Sequence, residues 1–392
     1  MLRNTAEHAC ESLCVKRPRV ERMYGRAEEW NISFAGCGFR SVYYMGAMTC
    51  ILERAPNLVH GASKICGASS GCLVAAALTV GLPIEHLYMD VLSAAKEARK
   101  HRLSVFHPTF SLLRTLRDSL REKLPEDAHR RASGRLCVSI TRIRDRRNVL
   151  VSHFDSREEL IQVLMCSCFF PVYCGLIPPS YRGQLYMDGA LSNNMPLLEC
   201  PNTITVAPFC SESDISPKDG AWTAISVYCN NLSIQVTTGN VRRIYTSFLP
   251  PTPEELAEIF HSGYTDALCF LRQEDLLATS SPEELVDITK EALGDQPWRL
   301  EHKHAHNLPL NIKRVLCVAC RDAGDRIGSQ SLCLVEVFYY VLTPLVVAVE
   351  LIWFLLKSLL RTTNNLRRQN SSCHDNNCSS VSSKKKRSTE KK

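Results

Sequence analysis

The hydrophobic pattern of the chain changes at Trp30. Ahead of it, residues 1–29 are charged and weakly periodic, which predicts a flexible N-terminal extension. Asn31 to Ala35 predicts a buried strand and Gly36-Cys37-Gly38 a tight turn. Val42 to Arg54 sets Val42, Met45, Met48 and Leu52 on one face of a helix. A second short strand, Lys64 to Cys66, runs into Gly67-Ala68-Ser69-Ser70-Gly71 and a helix of small residues through Leu78. Strand, turn and helix, twice over, predict an α/β domain with helices layered on a mainly parallel sheet.

Farther along, Leu136 to Thr141 and Val149 to Phe154 predict two strands joined across Asp145 to Asn148. Ser156 is expected to cap a helix and Glu159 to close a capping box. Tyr186-Met187 leads into Asp188-Gly189-Ala190, and Thr203 to Pro208 predicts another strand. The α/β body is therefore expected over 30–212. A mainly helical extension over 213–330 follows from the spacing of Leu256, Ile259, Phe260, Tyr264, Leu268 and Leu271. It also follows from the start signals Ser281, Pro282 and Glu284, with Gly294 as the stop. Residues 331–360 are strongly apolar, 361–392 read as a disordered tail, and no internal repeat is found.

Composition adds the surroundings. The tail from Arg361 to Lys392 carries nine Lys/Arg against two acids, which accounts for the whole formal charge of +7. A neutral body with a basic tail is not a nucleic-acid-binding footprint. The 19 cysteines are scattered through apolar runs, and the first residues lack the apolar core of a secretory signal, so buried thiols in a reducing compartment are expected. Cys317 and Cys320 fall in an apolar run, and Cys373, His374 and Cys378 in the polar tail. Packing and a solvated tail account for them, and neither metal nor cofactor is expected.

Three motifs carry chemistry. Gly67-Ala68-Ser69-Ser70-Gly71 is G-x-S-x-G between strand and helix, the setting of a nucleophilic serine at a strained turn. A bland turn of small residues would look alike. Gly36-Cys37-Gly38 would supply backbone N–H donors to an oxyanion. A dinucleotide site would instead need glycine at Ser41 and an acid where Cys66 ends the next strand. Asp188-Gly189-Ala190 offers a carboxylate that is either a turn residue or a base.

In this order, the three motifs resemble those of patatin-like lipases, which use a Ser-Asp dyad without histidine. The stretches WNISFAGCGF, VYYMGAM, FHPTF, ASGRLCVSITR, CSCFFPVYCGLIPPSYRG and NTITVAPF resemble the adipose triglyceride lipase and adiponutrin branch. The likeness runs from about residue 29 to 275, with a weaker echo to about 360. It implies a patatin-like three-layer α/β/α domain with Ser69 as nucleophile, Asp188 as base and Gly36, Cys37 and Gly38 as the oxyanion loop. It also implies glycerolipid substrates, a droplet or endoplasmic-reticulum surface reached from the cytoplasm, and an α/β-hydrolase-fold co-activator as partner. His107 and His153 are read as structural. The chain departs from the family at Arg40, Ser41, Ser70 and Asp145 to Asn148. Arg40 puts a cation where relatives carry an aliphatic group, and it is expected to turn to solvent or alter the mouth of the site.

Leu332 to Leu356 spans about 37 Å as a helix, enough for a hydrocarbon core of about 30 Å. Glu336, Thr343, Glu350 and Lys357 line one face of it. That stripe suits a segment lying in a monolayer, or hairpinning at Pro344, with a buried helix as the alternative. The leading expectation is a triacylglycerol-type acyl hydrolase. The alternatives are a transacylase or phospholipase, and a weakly active droplet protein that sequesters a lipase co-activator.

Overall fold

A computed structural model describes residues 29–100, 111–198, 202–219 and 225–276. The helix expected at Ser281, the apolar segment Leu332 to Leu356, the basic tail, His107 and Cys317 to Cys320 lie outside the described residues.

In chain order, β1 (Asn31–Phe34) leads through a tight helical turn, Gly38–Ser41, into α1 (Val42–Arg54) and the short α2 (Asn57–His60). β2 (Lys64–Ala68) passes directly into α3 (Ser70–Val80). Helices α4 (Ile84–Arg99), α5 (Leu112–Lys123) and α6 (Ala128–Ala132) precede β3 (Leu136–Arg142) and β4 (Asn148–Val151). Then come α7 (Arg157–Ser167), β5 (Ser180–Tyr181), β6 (Gln184–Asp188), a turn at Gly189–Leu191 and β7 (Thr203–Val206). The hairpin β8 (Ser226–Cys229) and β9 (Leu232–Gln235) is followed by α8 (Thr238–Phe248) and α9 (Pro253–Gln273).

The fold is α/β. Strands β3, β2, β1 and β7 form a parallel core in that order, and β4, β5 and β6 add an antiparallel margin. Every residue of β1 is buried, as expected of a central strand covered on both faces.

One strand organises the site. Along β3, Leu136 to Ser139 pair with β2, Val138 to Thr141 with β4, and Ile140 to Arg142 with β6. A strand has two edges and β4 overlaps both other partners, so β2 and β6 must share the opposite edge, meeting end to end. β2 arrives parallel, with Ala68 opposite Ser139; β6 arrives antiparallel and finishes with Asp188 opposite Ile140. Consecutive residues of β3 therefore bring the end of β2 to the end of β6.

Several expectations need correction. Ser156 does accept the Glu159 N–H, at 3.1 Å, but the Glu159 carboxylate takes the N–H of Asp155 rather than that of Ser156. Its other oxygen is bound by Arg182 Nε at 2.8 Å, which draws the side chain away from a reciprocal box. The box forms instead at α9, between Thr252 and Glu255. The region expected to be mainly helical also contains the β8–β9 hairpin, turned at Asn230 and Asn231 with φ of 50° and 66°. Two successive asparagines tolerate that left-handed pair, so the turn itself was the missed signal.

Helix α9 lies across α1, and its Leu256, Ile259, Phe260, Leu268 and Leu271 are buried. The crossing is close because Gly46 of α1 and Gly263 of α9 each abut the other helix's backbone. A Cβ on Gly263 would overlap the Tyr43 carbonyl oxygen, and one on Gly46 that of Phe260. Gly263→Ala should therefore force the helices apart and lower unfolding free energy by about 1–3 kcal/mol, read by urea denaturation.

Candidate active site

The site is built where β1 and β2 end. Ser69 sits between β2 and α3 with φ 51° and ψ −133°, a strained conformation for a residue with a side chain. Close packing on either side holds it there. A Cβ on Gly67 would come 2.5 Å from the Gly71 backbone, and one on Gly71 within 2.6 Å of the Phe34 and Ala35 carbonyl oxygens. Only glycine fits both positions, which accounts for the G-x-S-x-G spacing. The Ser69 N–H donates to Ser167 Oγ at 2.9 Å, and that hydroxyl donates to the Ser139 carbonyl at 2.7 Å. The Ser69 hydroxyl does not cap α3.

Asp188 is both a turn residue and the partner of Ser69. Its Oδ1 accepts the Ala190 N–H at 2.8 Å, and the Ser69 side chain lies near enough to favour its ionised form. Its backbone is pinned, with the N–H donating to Phe169 O and the carbonyl accepting from Thr141 Oγ1, both at 2.7 Å. Gly189 follows because a Cβ there would overlap the Ser139 carbonyl. The residue is only 2% exposed. Burial raises its pKa to about 7, against smaller opposing effects of Ser69 and the Ala190 hydrogen bond.

The three amides of the glycine turn have different partners. Gly36 N–H donates to Asn194 Oδ1 at 2.7 Å, and Cys37 N–H to Ser70 Oγ at 3.1 Å. Gly38, exposed and at φ 54°, has no acceptor for its N–H among the described residues. A Cβ on Gly36 would lie 2.8 Å from Ser69 Cβ, so the turn lies directly against the serine. Asn194, Ser167 and Ser139 escaped sequence reasoning because single polar residues scattered over 55 positions carry no local signal. Ser70 was visible as a departure, and its hydroxyl does compete for the loop.

Arg40 neither turns to solvent nor reaches the mouth. It is 7% exposed, donates from one terminal nitrogen to Thr246 Oγ1 at 2.9 Å, and its Nε finds no acceptor among the described residues. Burial, with Arg243 nearby, lowers its pKa to about 10. The turn packs on α8 through Gly38, where a Cβ would overlap the Ser247 carbonyl, and this directs Arg40 behind the site.

Ser69 and Asp188 open on a cavity of about 390 Å³. Leu73 and Val74 of α3, Leu87 and Val91 of α4, and Leu112 and Leu116 of α5 make one wall; Phe170, Tyr173 and Phe248 make another. The neighbouring thiols stay protonated. Burial pushes Cys37 up to about 11 and Cys174 to about 12, while a hydrogen bond with Cys72 and burial both raise Cys168. Among the described residues no group of His, Cys, Asp and Glu could hold a metal ion. No helix among them is long and apolar enough to cross a membrane.

Fold and site together define an α/β protein with a serine–aspartate pair at a strand-to-helix elbow. The patatin-like phospholipase family model matches residues 32–200. Rat patatin-like phospholipase domain-containing protein 2 is 43% identical over 316 residues, covering 77% of this chain and 65% of its own. The cattle protein of that name is 41% identical over 329 residues, covering 79% and 68% respectively. A human 1-acylglycerol-3-phosphate O-acyltransferase is 40% identical over 260 residues, 66% of this chain and 54% of that one. The chain belongs to the patatin-like phospholipase family, in the branch of these relatives, and spans about two thirds of the length of the first-named ones. Among solved structures, VipD from Legionella pneumophila aligns with a TM-score of 0.37 and 14% identity, over 64% of this chain and 67% of that one, too distant to inform the architecture.

The raised Asp188 pKa has a stability consequence. With a folded value of about 7 and an ordinary value of 3.8, ionisation of this group favours the unfolded chain, so its contribution to stability is greatest at acid pH and is lost as pH rises from about 4 to 7. Asp188→Asn removes that dependence. Its stability relative to wild type should grow by about 3 kcal/mol between pH 4 and pH 7, measured by denaturant titration at each pH.

Proposed function

We propose that the chain is a serine acyl hydrolase of glycerolipid esters, triacylglycerol foremost, working at a lipid surface. The observation that carries this is the Ser69–Asp188 pair at the base of an apolar cavity, with the carboxylate's pKa raised to about 7 by burial. A base poised near neutral pH can accept a proton from serine that an ordinary aspartate could not hold.

In this reading Asp188 accepts the Ser69 proton as the hydroxyl oxygen attacks the ester carbonyl carbon. The carbonyl oxygen becomes an oxyanion, for which the Gly38 N–H is the free donor and the N-terminal end of α3 a favourable field. Gly36 and Cys37 shape the turn through Asn194 and Ser70, and act as donors only once those side chains yield. Collapse expels the alcohol, which takes the proton from Asp188 and leaves an acyl-serine. Water then surrenders a proton to Asp188 and attacks the acyl carbon. The fatty acid departs and the proton returns to Ser69.

The same reading locates the chain in the cytoplasm and on droplet or endoplasmic-reticulum surfaces. The apolar segment Leu332 to Leu356 and the basic tail would supply contact, and an α/β-hydrolase-fold protein would be a co-activator. A second reading, transacylation, draws on the acyltransferase named among the relatives: a lipid alcohol held in the same cavity would replace water. Adding monoacylglycerol acceptor to the assay separates the two.

Ser69→Ala should cut fatty-acid release from emulsified triolein by at least about a thousandfold and abolish labelling by a fluorophosphonate. Equal rates for wild type and variant would remove the proposal. For wild type, kcat/KM should rise with pH through about 7 and then level, because the ionised carboxylate is the active form.

A further inference from the structure

The segment from Phe169 to Pro179, between α7 and β5, contains no charged residue. Its side chains divide by direction. Phe170, Tyr173 and Cys174 line the cavity, whereas Val172, Leu176 and Ile177 face outward at 68%, 83% and 88% exposure. Single exposed aliphatic residues are ordinary, but three within six positions at a cavity mouth are not.

The backbone holds this division. Val172 N–H donates to Gly175 O and Cys174 N–H to Phe170 O, both at 2.9 Å, and the Tyr173 hydroxyl is tied to Phe248 O of α8 at 2.7 Å. Val172 sits at φ 70°, a strained value for a β-branched residue, so its outward placement is kept against local preference. Ile244 of α8, itself 38% exposed, also lines the cavity, which makes the mouth apolar on α8 as well as on the loop.

We propose that Val172, Leu176 and Ile177 form a finger that inserts into a lipid surface and seats the cavity mouth on it. A water-insoluble ester then passes from lipid to Ser69 along a continuous apolar path. This rests on the hydrolase reading for its purpose, but the docking itself can be measured separately.

The full-length chain is bound to phosphatidylcholine vesicles with brominated acyl chains. Neutral lipid removes electrostatic attraction of the basic tail. In Ile177→Trp the added emission should be quenched relative to unbrominated vesicles. In Met89→Trp, an exposed site on α4 that does not line the cavity, it should not be. Absence of extra quenching at position 177 overturns the proposal.

The double variant Leu176→Ser, Ile177→Ser should lower hydrolysis of emulsified triolein about tenfold or more while leaving hydrolysis of soluble p-nitrophenyl butyrate unchanged. Retained triolein hydrolysis, or an equal fall on both esters, overturns the proposal, the latter by assigning the loop to the cavity wall alone. If wild type hydrolyses neither ester, the hydrolase reading fails, and quenching at position 177 still decides docking.

Discussion

The arrangement depends on one edge of β3 being shared by two strands that run toward each other. β2 ends opposite Ser139 and β6 ends opposite Ile140, so Ser69 and Asp188, 119 positions apart in the chain, face each other across a strand junction. Glycines at 67, 71 and 189 are consequences of this geometry, since each lies where backbone from another element occupies the space of a side chain. The strain at Ser69 is held by that packing rather than by any preference of serine.

Around the junction hydroxyls and amides hydrogen-bond to one another. Asn148 Nδ2 donates to Ser139 Oγ at 2.8 Å and to Ser192 Oγ at 3.0 Å, Thr141 Oγ1 meets Ser192 Oγ at 2.6 Å, and Ser139 Oγ donates to Asn193 O at 3.0 Å. These bonds fasten the turn after Asp188 to β3. They satisfy polar groups at the junction without bringing a cation beside the carboxylate, and its elevated proton affinity depends on that absence. A lysine or arginine there would hold the group ionised and lower its pKa. The buried cation among the described residues, Arg40, sits behind the glycine turn against α8 and leaves Asp188 governed by burial.

The same apolarity has two consequences. It raises the carboxylate's pKa to about 7 at the cost of fold stability once ionised, and it lines the cavity with hydrocarbon. The loop from Phe169 joins both, because its first carbonyl anchors the Asp188 N–H while the residues after it form the cavity wall and the exposed apolar rim. The cavity wall and the placement of Asp188 are thereby coupled through a few residues.

Much was legible in the linear pattern. The strand-turn-helix repeats, Val42 to Arg54 as α1 and the apolar face of α9 follow from local periodicity, and G-x-S-x-G, D-G-A and the paired glycines mark turns whose steric demands are local. The β8–β9 hairpin was missed because its strands are four residues each, too short to outweigh a helical neighbourhood. Tertiary structure alone decided that Ser69 meets Asp188, that Asn194 and Ser70 take two of the three loop amides, and that Arg40 is buried. Those outcomes depend on which strand ends are brought together and which groups lose water. Neither is a property of neighbouring residues, because desolvation and strand pairing arise only when distant segments pack.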